Sequence, residues 1–594
     1  MLDNLADWKR THACAALRRE HDGQDVLLMG WVHRRRDHGG LAFIDLRDRS
    51  GVCQIVVDGE DPALLEKVKD VRSEFVLAVR GRVRLRPEGM RNKDLPTGDV
   101  EVLVAELRVL NTSLTPPFPI ESAVQDEASE DLRFRYRFLD LRRPEMQARM
   151  AFRHRVVLAV RRFLDAEGFL EIETPLLIRS TPEGARDYVV PSRLHPGRFY
   201  ALPQSPQLYK QLLMVAGYDK YFQMARCLRD EDLRGDRQPE HTQIDMEMSF
   251  ATEDMIFDVV ERLLGAVFDT VMARPLAFPF QRLTYAETMA RFGTDKPDLR
   301  FGLELVDLGE IAGAAEFRAF RGVLDAGGSV KGLRVPGGAA FSRREIEALE
   351  DVAKHHGAKG LAWLKRDESG LAGGVAKFFS TVADALQAAT GLEAGDLLLM
   401  IGDAGQTAAT ALGAVRTRLG ETLALTDPGD FRFLWVHRFP LFERDEETGG
   451  WQAMHHLFSM PMEEDLDLLE TDPGRVRGQL YDLVCNGVEL ASGSIRIHRR
   501  DIQERVMQVV GIDREEAQRR FGFLLGAFDY GAPPHGGIAP GLDRILMVLD
   551  GGSSIRDYIA FPKTLRGVSP MVDAPAPIDE SQLRELHLRI VEDG

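Results

Sequence analysis

Apolar residues alternate with polar ones through five stretches of the first hundred or so positions: Val26–Val32, Leu41–Arg47, Val52–Val57, Phe75–Val83 and Val100–Asn111. Alternation of this length, bounded by Gly, Asp and Pro, predicts half-buried strands, and five short strands in succession predict a small barrel of the OB type over residues 1–115. Pro116-Pro117-Phe118-Pro119 and the acidic run to Asp131 then interrupt the pattern, predicting a linker or hinge over 116–150. Beyond it the spacing becomes helical, with Phe152, Val156, Val160, Phe163 and Leu164 on one face and Gly168 as the stop. Helices and strands mix over 151–298 and again over 428–594, where strand patterning resumes at Phe431–His437. Between them, 299–427 is rich in Gly and Ala and predicts an inserted α/β domain, so the whole is an α+β multidomain chain.

Composition narrows this picture. At 594 residues the chain exceeds one hydrophobic core. With 44% hydrophobic and 28% charged residues and no long apolar run, it has the composition of a soluble protein, not a membrane one. The start, Met1-Leu2-Asp3-Asn4-Leu5, has no secretory pattern, which points to a cytoplasmic protein. Cys14, Cys53, Cys227 and Cys485 are widely spaced, as expected of reduced core thiols and not of a zinc site. A net charge of −17 excludes nonspecific nucleic-acid binding over the whole surface. Local basic patches remain at Arg34-Arg35-Arg36 and at Arg80, Arg82, Arg84 and Arg86, four guanidiniums on one strand face. A charge-protected edge strand would explain that alternation equally well.

Three segments carry candidate chemistry. Tyr221–Glu231 and His241–Phe250 predict two strands joined by a charged loop. In the second, His241, Gln243, Asp245, Glu247 and Ser249 share one face. In His535–Arg544, glycines let a strand pass close to a flat ligand, and a helix starting near Leu542 aims its N-terminus and Arg544 at an anion, naturally a phosphate. In Tyr481–Arg496, Asn486-Gly487 marks a two-residue hairpin that sets Glu489 opposite Val484 and on the face of Asp482. Such a carboxylate pair suits Mg²⁺, with a solvated acidic hairpin as the plain alternative. Arg496 has the wrong parity for that face, which predicts a bulge near Ser492-Gly493. His455-His456, read as neighbours on a strand, face opposite ways, which favours a substrate contact at His455 over a metal site.

Together with Phe163–Phe169 and the run to Pro175, these segments resemble, in order and in residues, the three signature motifs of class II aminoacyl-tRNA synthetases. Thr181–Asp187, Gln204–Lys210 and Arg229–Arg234 resemble the bacterial-type aspartyl-tRNA synthetases, and the likeness spans nearly the whole chain. The resemblance implies an antiparallel sheet flanked by helices and a homodimer with an interface around Pro175. It implies ATP and L-aspartate as substrates and Mg²⁺ as cofactor. It assigns Arg229, Asp230, Glu231, Gln238, Glu489, Gly541, Leu542, Asp543 and Arg544 to the nucleotide, and Asp482 with Glu489 to the metal. Glu183, Gln207, Lys210, Arg229, Asp245, His455 and Arg496 would hold aspartate. Lys210 and Arg496 would read its side chain, because an isosteric amide would leave both cations unpaired. The chain departs from the family pattern at His241, Leu457, Ala491-Ser492 and Pro540, which bears on the adenine platform and on turnover.

In the barrel, Arg36, Phe43, Gln54 and Glu101 match positions that hold a splayed anticodon. His38 and Gly89 resemble the nondiscriminating type, so the expected partners are tRNA(Asp) and also tRNA(Asn).

Overall fold

The computed structural model describes residues 2–121, 128–181, 185–445 and 447–591. The chain divides into two compact units, Met1–Ala151 with Ala560–Ala576, and Phe152–Ile559 with Pro577–Gly594.

The first unit contains a closed five-stranded barrel in the order Asp25–His38, Leu41–Asp48, Gly51–Val57, Val100–Asn111 and Val76–Leu85. Its inward positions, among them Val26, Leu28, Ile44, Leu46, Ile55, Val79 and Val102, form one core cluster, as the alternation predicts. The first strand outruns its apolar pattern: after an irregularity between Val32 and Arg34 it continues through the arginines to His38. Gly39 and Gly40, at φ 59° and 81°, then close a tight hairpin to Leu41. The four alternating arginines do not share a face. Arg80 and Arg82 are exposed, but Arg86 lies beyond the strand end, buried, with Nε donating to the Val100 carbonyl at 2.8 Å. The alternation holds through Arg84, with Gly81 and Val83 buried between the outward arginines, and fails at Arg86 because the strand ends at Leu85.

The second unit is built on an eight-stranded sheet in the order Gln281–Thr284, Phe433–His437, Leu480–Cys485, Val488–Ile495, His535–Pro540, Glu240–Ser249, Lys220–Leu228 and Leu170–Glu171. The six central strands are antiparallel, as expected, while the short strand at each edge pairs parallel. Helices Pro144–Ala166, Glu253–Val267 and Leu542–Asp550 supply side chains to the apolar cluster on one side of this sheet. The helix before Gly168 is thus present but begins at Pro144, where proline is tolerated in the first turn.

Residues 305–403 contain a separate five-stranded sheet, Leu305–Asp307, Ser329–Val335, Leu397–Asp403, Ala362–Asp367 and Gly370–Ala372. Every pairing in it is antiparallel, so the inserted segment is α+β and not the α/β arrangement expected. Leu397–Ile401 is buried on both faces, between one apolar cluster and a second. A doubly covered strand reads as a continuous apolar run in either kind of sheet, so the pattern alone does not separate them. No described helix is long and apolar enough to cross a membrane.

Candidate active site

A cavity of about 570 Å³ opens over the central sheet. It gathers residues remote in sequence: Gln207, Lys210 and Asp245 at one end, and Arg229, Glu231, Gln238, Gly541 and Arg544 towards the other, with His455, Asp482, Glu489 and Arg496 also on its walls. Two predicted residues turn away. Asp230 has its carboxylate 3.6 Å from Arg186, and Leu542 is packed in the core beneath the sheet. Glu183 lies outside the described residues.

The helix Gln207–Val215 places Gln207, Lys210 and Gln211 on one face at helical spacing. All three are buried. Lys210 Nζ lies 2.9 Å from Asp245 Oδ2 and 3.4 Å from Glu247 Oε2. Arg496 donates through Nε and Nη2 to the two Glu247 oxygens at 3.0 and 3.2 Å, and through Nη1 to Ser494 Oγ at 2.7 Å and His456 Nε2 at 2.8 Å. The two cations are therefore not unpaired, which corrects the simple picture of free charges awaiting a carboxylate. An ammonium carries three donors and a guanidinium five, so these contacts leave at least one N–H on Lys210, whose Glu247 contact is an ion pair, and one on Arg496. Asp245 Oδ1 is buried and makes no hydrogen bond among the described residues, and burial raises the pKa of that carboxyl.

Glu247 and His456 are the site members that sequence reasoning missed. Glu247 belongs to the predicted polar face of its strand, and it is fully buried because Gly537 makes room for it. A Cβ on Gly537 would sit 2.0 Å from Glu247 Oε2, so the glycines of His535–Pro540 accommodate the protein's own carboxylate and sheet neighbours, not a flat ligand. His455 and His456 both line the cavity, contrary to the strand-parity reading, because the strand Trp451–Ala453 ends before them. His456 is held neutral: burial first, then the Arg496 charge, pulls its pKa well below the ordinary 6.5.

A depressed histidine contributes stability that is fully present above the unfolded pKa, near 6.5, and is lost as pH falls below it. The melting-temperature advantage of the native chain over His456→Gln should accordingly shrink between pH 7.5 and 5.5. An advantage that is constant or grows on acidification would show that His456 is not kept neutral by the fold.

At the other end, Arg229 follows the strand Lys220–Leu228 and makes one hydrogen bond through its side chain among the described residues, Nε to the Gln204 carbonyl at 3.4 Å. Arg544 stands in the first turn of the helix Leu542–Asp550. Its guanidinium bridges Asp236 Oδ2 at 3.1 Å and the Glu489 carbonyl at 3.1 Å. His241 lines the cavity, its pKa pulled down to about 3 by burial and then by Arg229 and Arg544, so it presents an uncharged ring. Asp543 also lines the cavity but its carboxylate is committed, to Arg153 and to the Thr242 backbone N–H at 3.0 Å. Pro540 is tolerated because it is the last residue of its strand, past Ile538, where the ladder to Glu240–Ser249 ends.

The acidic hairpin forms as read, with Val484 opposite Glu489 and positive φ at both Asn486 and Gly487. The bulge exists but falls earlier than expected. Leu483 pairs with Ala491 and Val484 with Glu489, so Leu490 is the extra residue, and it brings Ser492, Ser494 and Arg496 onto the face of Asp482. Asp482 is buried, its Oδ1 makes no hydrogen bond among the described residues though His455 Nδ1 lies 4.0 Å away, and burial followed by the Glu489 charge raises its pKa well above the usual carboxylate range. The Ser492 hydroxyl lies 3.4 Å from His455 Nδ1. Among the described residues no three His, Cys, Asp or Glu side chains form a metal-ligand group, so a cation here would draw on two carboxylates and on its ligand.

On the barrel, Arg36 Nη2 donates to both Asp45 oxygens at 3.0 Å and to Gln54 Oε1 at 3.4 Å. Gln54 Nε2 donates to Glu101 Oε2 at 2.8 Å, and Arg84 Nε to Glu101 Oε1 at 2.8 Å. Phe43 is half-buried and pairs in register with Arg36, and His38 and Gly89 are exposed. Asp45 and Arg84 join the predicted set through this network. Asp45 signals only by facing Gln54 across neighbouring strands, whereas Arg84 belongs to the basic alternation of Arg80–Arg86 and faces Glu101.

An OB barrel with a polar face, and a mostly antiparallel sheet whose cavity pairs buried cations with a carboxylate hairpin, define a class of protein. Residues 129–565 match the family described as tRNA synthetases class II (D, K and N), and 26–110 match the OB-fold nucleic acid binding domain. The chain belongs to this class II synthetase family. It is 54% identical over 590 residues to the aspartate–tRNA(Asp/Asn) ligase of Moorella thermoacetica, covering 99% of this chain and 98% of that one. It is 54% identical to the protein of the same name from Rubrobacter xylanophilus, covering 98% and 97%. A solved asparaginyl-tRNA synthetase from Pyrococcus horikoshii, 19% identical, shares the fold with a TM-score of 0.59 over 94% of this chain and 98% of that one.

Proposed function

We propose that this chain is an aspartate–tRNA ligase that activates L-aspartate with ATP and charges both tRNA(Asp) and tRNA(Asn). The observation that carries the amino-acid assignment is the buried Lys210–Asp245–Glu247–Arg496 cluster, with one open donor on each cation. Open N–H groups on two cations that share Glu247 and line one cavity match one carboxylate, whereas an amide would direct a donor at a cation. The orphan Asp245 Oδ1 is matched to the α-ammonium, with Gln207, His455 and Glu183 placing the rest of the amino acid.

Arg229 then lies where the aspartate carboxylate and the α-phosphate meet, and Arg544 holds the pyrophosphate end from a helix N-terminus. Glu231 and Gln238 hold the nucleotide, the backbone at Gly541, Leu542 and Asp543 shapes its far wall, and neutral His241 offers the adenine a ring face. Asp230, salt-bridged to Arg186, would serve by ordering the loop after Arg229. The buried carboxylate of Asp482, beside Glu489 and with an oxygen not committed to a protein hydrogen bond among the described residues, fits a divalent cation, which we assign as Mg²⁺. When bound, such an ion neutralises charge on phosphate oxygens. The protein's own part is orientation. With the aspartate carboxylate held by Arg229 in line with the α-phosphorus, the new O–P bond forms as pyrophosphate leaves towards Arg544, and no side-chain nucleophile is needed. A ribose hydroxyl of the tRNA 3′ end then displaces AMP from the aspartyl-adenylate.

Under this reading 1–115 binds the anticodon, with Phe43 stacking and Arg36, Gln54 and Glu101 hydrogen-bonding. Residues 116–150 form a hinge, 151–298 and 428–594 the catalytic domain, and 299–427 an insertion. Exposed Leu170, Leu176 and Leu177 around Pro175 support a homodimer interface. The enzyme acts in the cytoplasm.

Tolerance of tRNA(Asn) rests on His38 and Gly89 and on the relatives' shared name. Aspartylation of purified tRNA(Asn) and tRNA(Asp) should proceed with kcat/KM values within about tenfold of each other, at or below the ~1–3 kcal/mol that one misread base costs a discriminating reader. Charging of tRNA(Asn) a thousandfold weaker would restrict the enzyme to tRNA(Asp).

A further inference from the structure

The segment from Gly293 to Asp298, Gly-Thr-Asp-Lys-Pro-Asp, forms a wall of the activation cavity through Asp295, and through Gly293, Thr294 and Asp295 it also borders a second cleft, of about 560 Å³. Both of its ends are gripped by one helix of the inserted segment, Gly405–Thr422. At the first end, Gly293 adopts φ +67° and lies so close that a Cβ there would sit 2.0 Å from the Ala409 carbonyl oxygen. A Cβ on Gly413 would sit 2.7 Å from the Gly293 and Phe292 carbonyl oxygens. Beyond the other end, buried Arg416 donates to four consecutive-region carbonyls, Asp298 at 2.8 Å, Phe301 at 3.0 Å, Gly302 at 2.9 Å and Leu303 at 3.0 Å. Its guanidinium also packs over the rings of Phe292 and Phe301.

The middle of the segment abuts the hairpin that carries the carboxylate pair. A Cβ on Gly487, in the turn between Asp482 and Glu489, would lie 3.5 Å from Asp298 Cβ and 3.9 Å from the Lys296 carbonyl oxygen. Asp295 lines the same cavity as His455, Asp482 and Glu489. A buried guanidinium whose hydrogen bonds go to loop carbonyls fixes backbone geometry more stringently than a surface ion pair does.

Resting on the reading of the cavity as an aspartate-activating site, we propose that the inserted segment positions catalysis. Arg416 and the Gly293–Gly413 contact hold Asp295 against the activation cavity, where its carboxylate strengthens the negative field that the Asp482–Glu489 pair offers a divalent cation. Asp295 supplies field and not a direct ligand. Arg416 acts only through it and is a positioning residue.

The test is a double-mutant cycle in aspartate-dependent pyrophosphate exchange with the full-length enzyme. Asp295→Asn and Arg416→Met should each lower kcat/KM for MgATP about tenfold, and the double variant should fall within about threefold of the weaker single. Titration of Mn²⁺ with a non-hydrolysable ATP analogue should show about fivefold weaker binding in both singles. Multiplied losses approaching a hundredfold, an Asp295→Asn enzyme within twofold of the native one, or unchanged Mn²⁺ affinity would each overturn the proposal. If Arg416→Met does not fold by circular dichroism, Gly413→Ala, which presses on the same segment from the helix, takes its place in the cycle. Native enzyme lacking exchange would instead defeat the activation-site reading itself.

Discussion

Replacing Lys210 with methionine should lower kcat/KM for L-aspartate in pyrophosphate exchange about 10³-fold while leaving the KM for ATP within about threefold. Lys210 is 1% exposed and its ammonium sits between Asp245 and Glu247, with one N–H left for the substrate. Removing one member of a buried, hydrogen-bonded charge set costs about 2–5 kcal/mol, and about 4 kcal/mol corresponds to three decades. The loss divides between the missing donor and the Asp245 carboxylate left without its cation. Because Glu247 retains Arg496 at 3.0 Å, the cluster does not collapse, and the nucleotide end, reached through Arg229 and Arg544, is untouched. An equal loss on ATP would mean that Lys210 serves general folding and not the amino acid. Arg496→Met offers the complementary case, since it strands Glu247 and should cost stability as well.

Arg229→Gln should produce a loss of similar size with a different signature. Its guanidinium makes one long hydrogen bond among the described residues, to the Gln204 carbonyl at 3.4 Å, so the fold gains little from it and the melting temperature should move by less than about 2 °C. Activity should nonetheless fall about 10³-fold in kcat, with both substrates affected, because a donor aimed at charge that develops during reaction acts mainly in the transition state. A large drop in melting temperature, or a loss confined to KM, would assign Arg229 a structural or ground-state role. The contrast between the two arginine-bearing ends follows from burial: charges inside the sheet hold the protein and select the amino acid, whereas Arg229 is left available for phosphate.

Much of this arrangement is legible in the residues before any coordinates. Strand alternation located all five barrel strands, and Asn486-Gly487 set the hairpin register that brings Asp482 and Glu489 to one face, because both signals are local. Non-local features were less legible. The bulge was called for by the parity of Arg496, but its position at Leu490 depends on which strand yields in a six-strand antiparallel block. Strand parity through His455-His456 points only one of them at the site, whereas the strand ends at Ala453 and both histidines line the cavity. Glu247 had a faint signal in its polar face, yet only the opposed Gly537 shows that a carboxylate is built into the sheet. The grip of Arg416 on the carbonyls from Asp298 to Leu303 joins residues more than a hundred positions apart and leaves no periodic trace.

The central claim is that the cavity activates aspartate and rejects its amide. The most direct measurement is pyrophosphate–ATP exchange by the native enzyme, without tRNA, in the presence of L-aspartate, L-asparagine or L-lysine. Exchange with aspartate at least about 10³ times that with asparagine, and none with lysine, is predicted by two open donors held between buried carboxylates. Exchange supported equally by asparagine, or absent with aspartate, would contradict it.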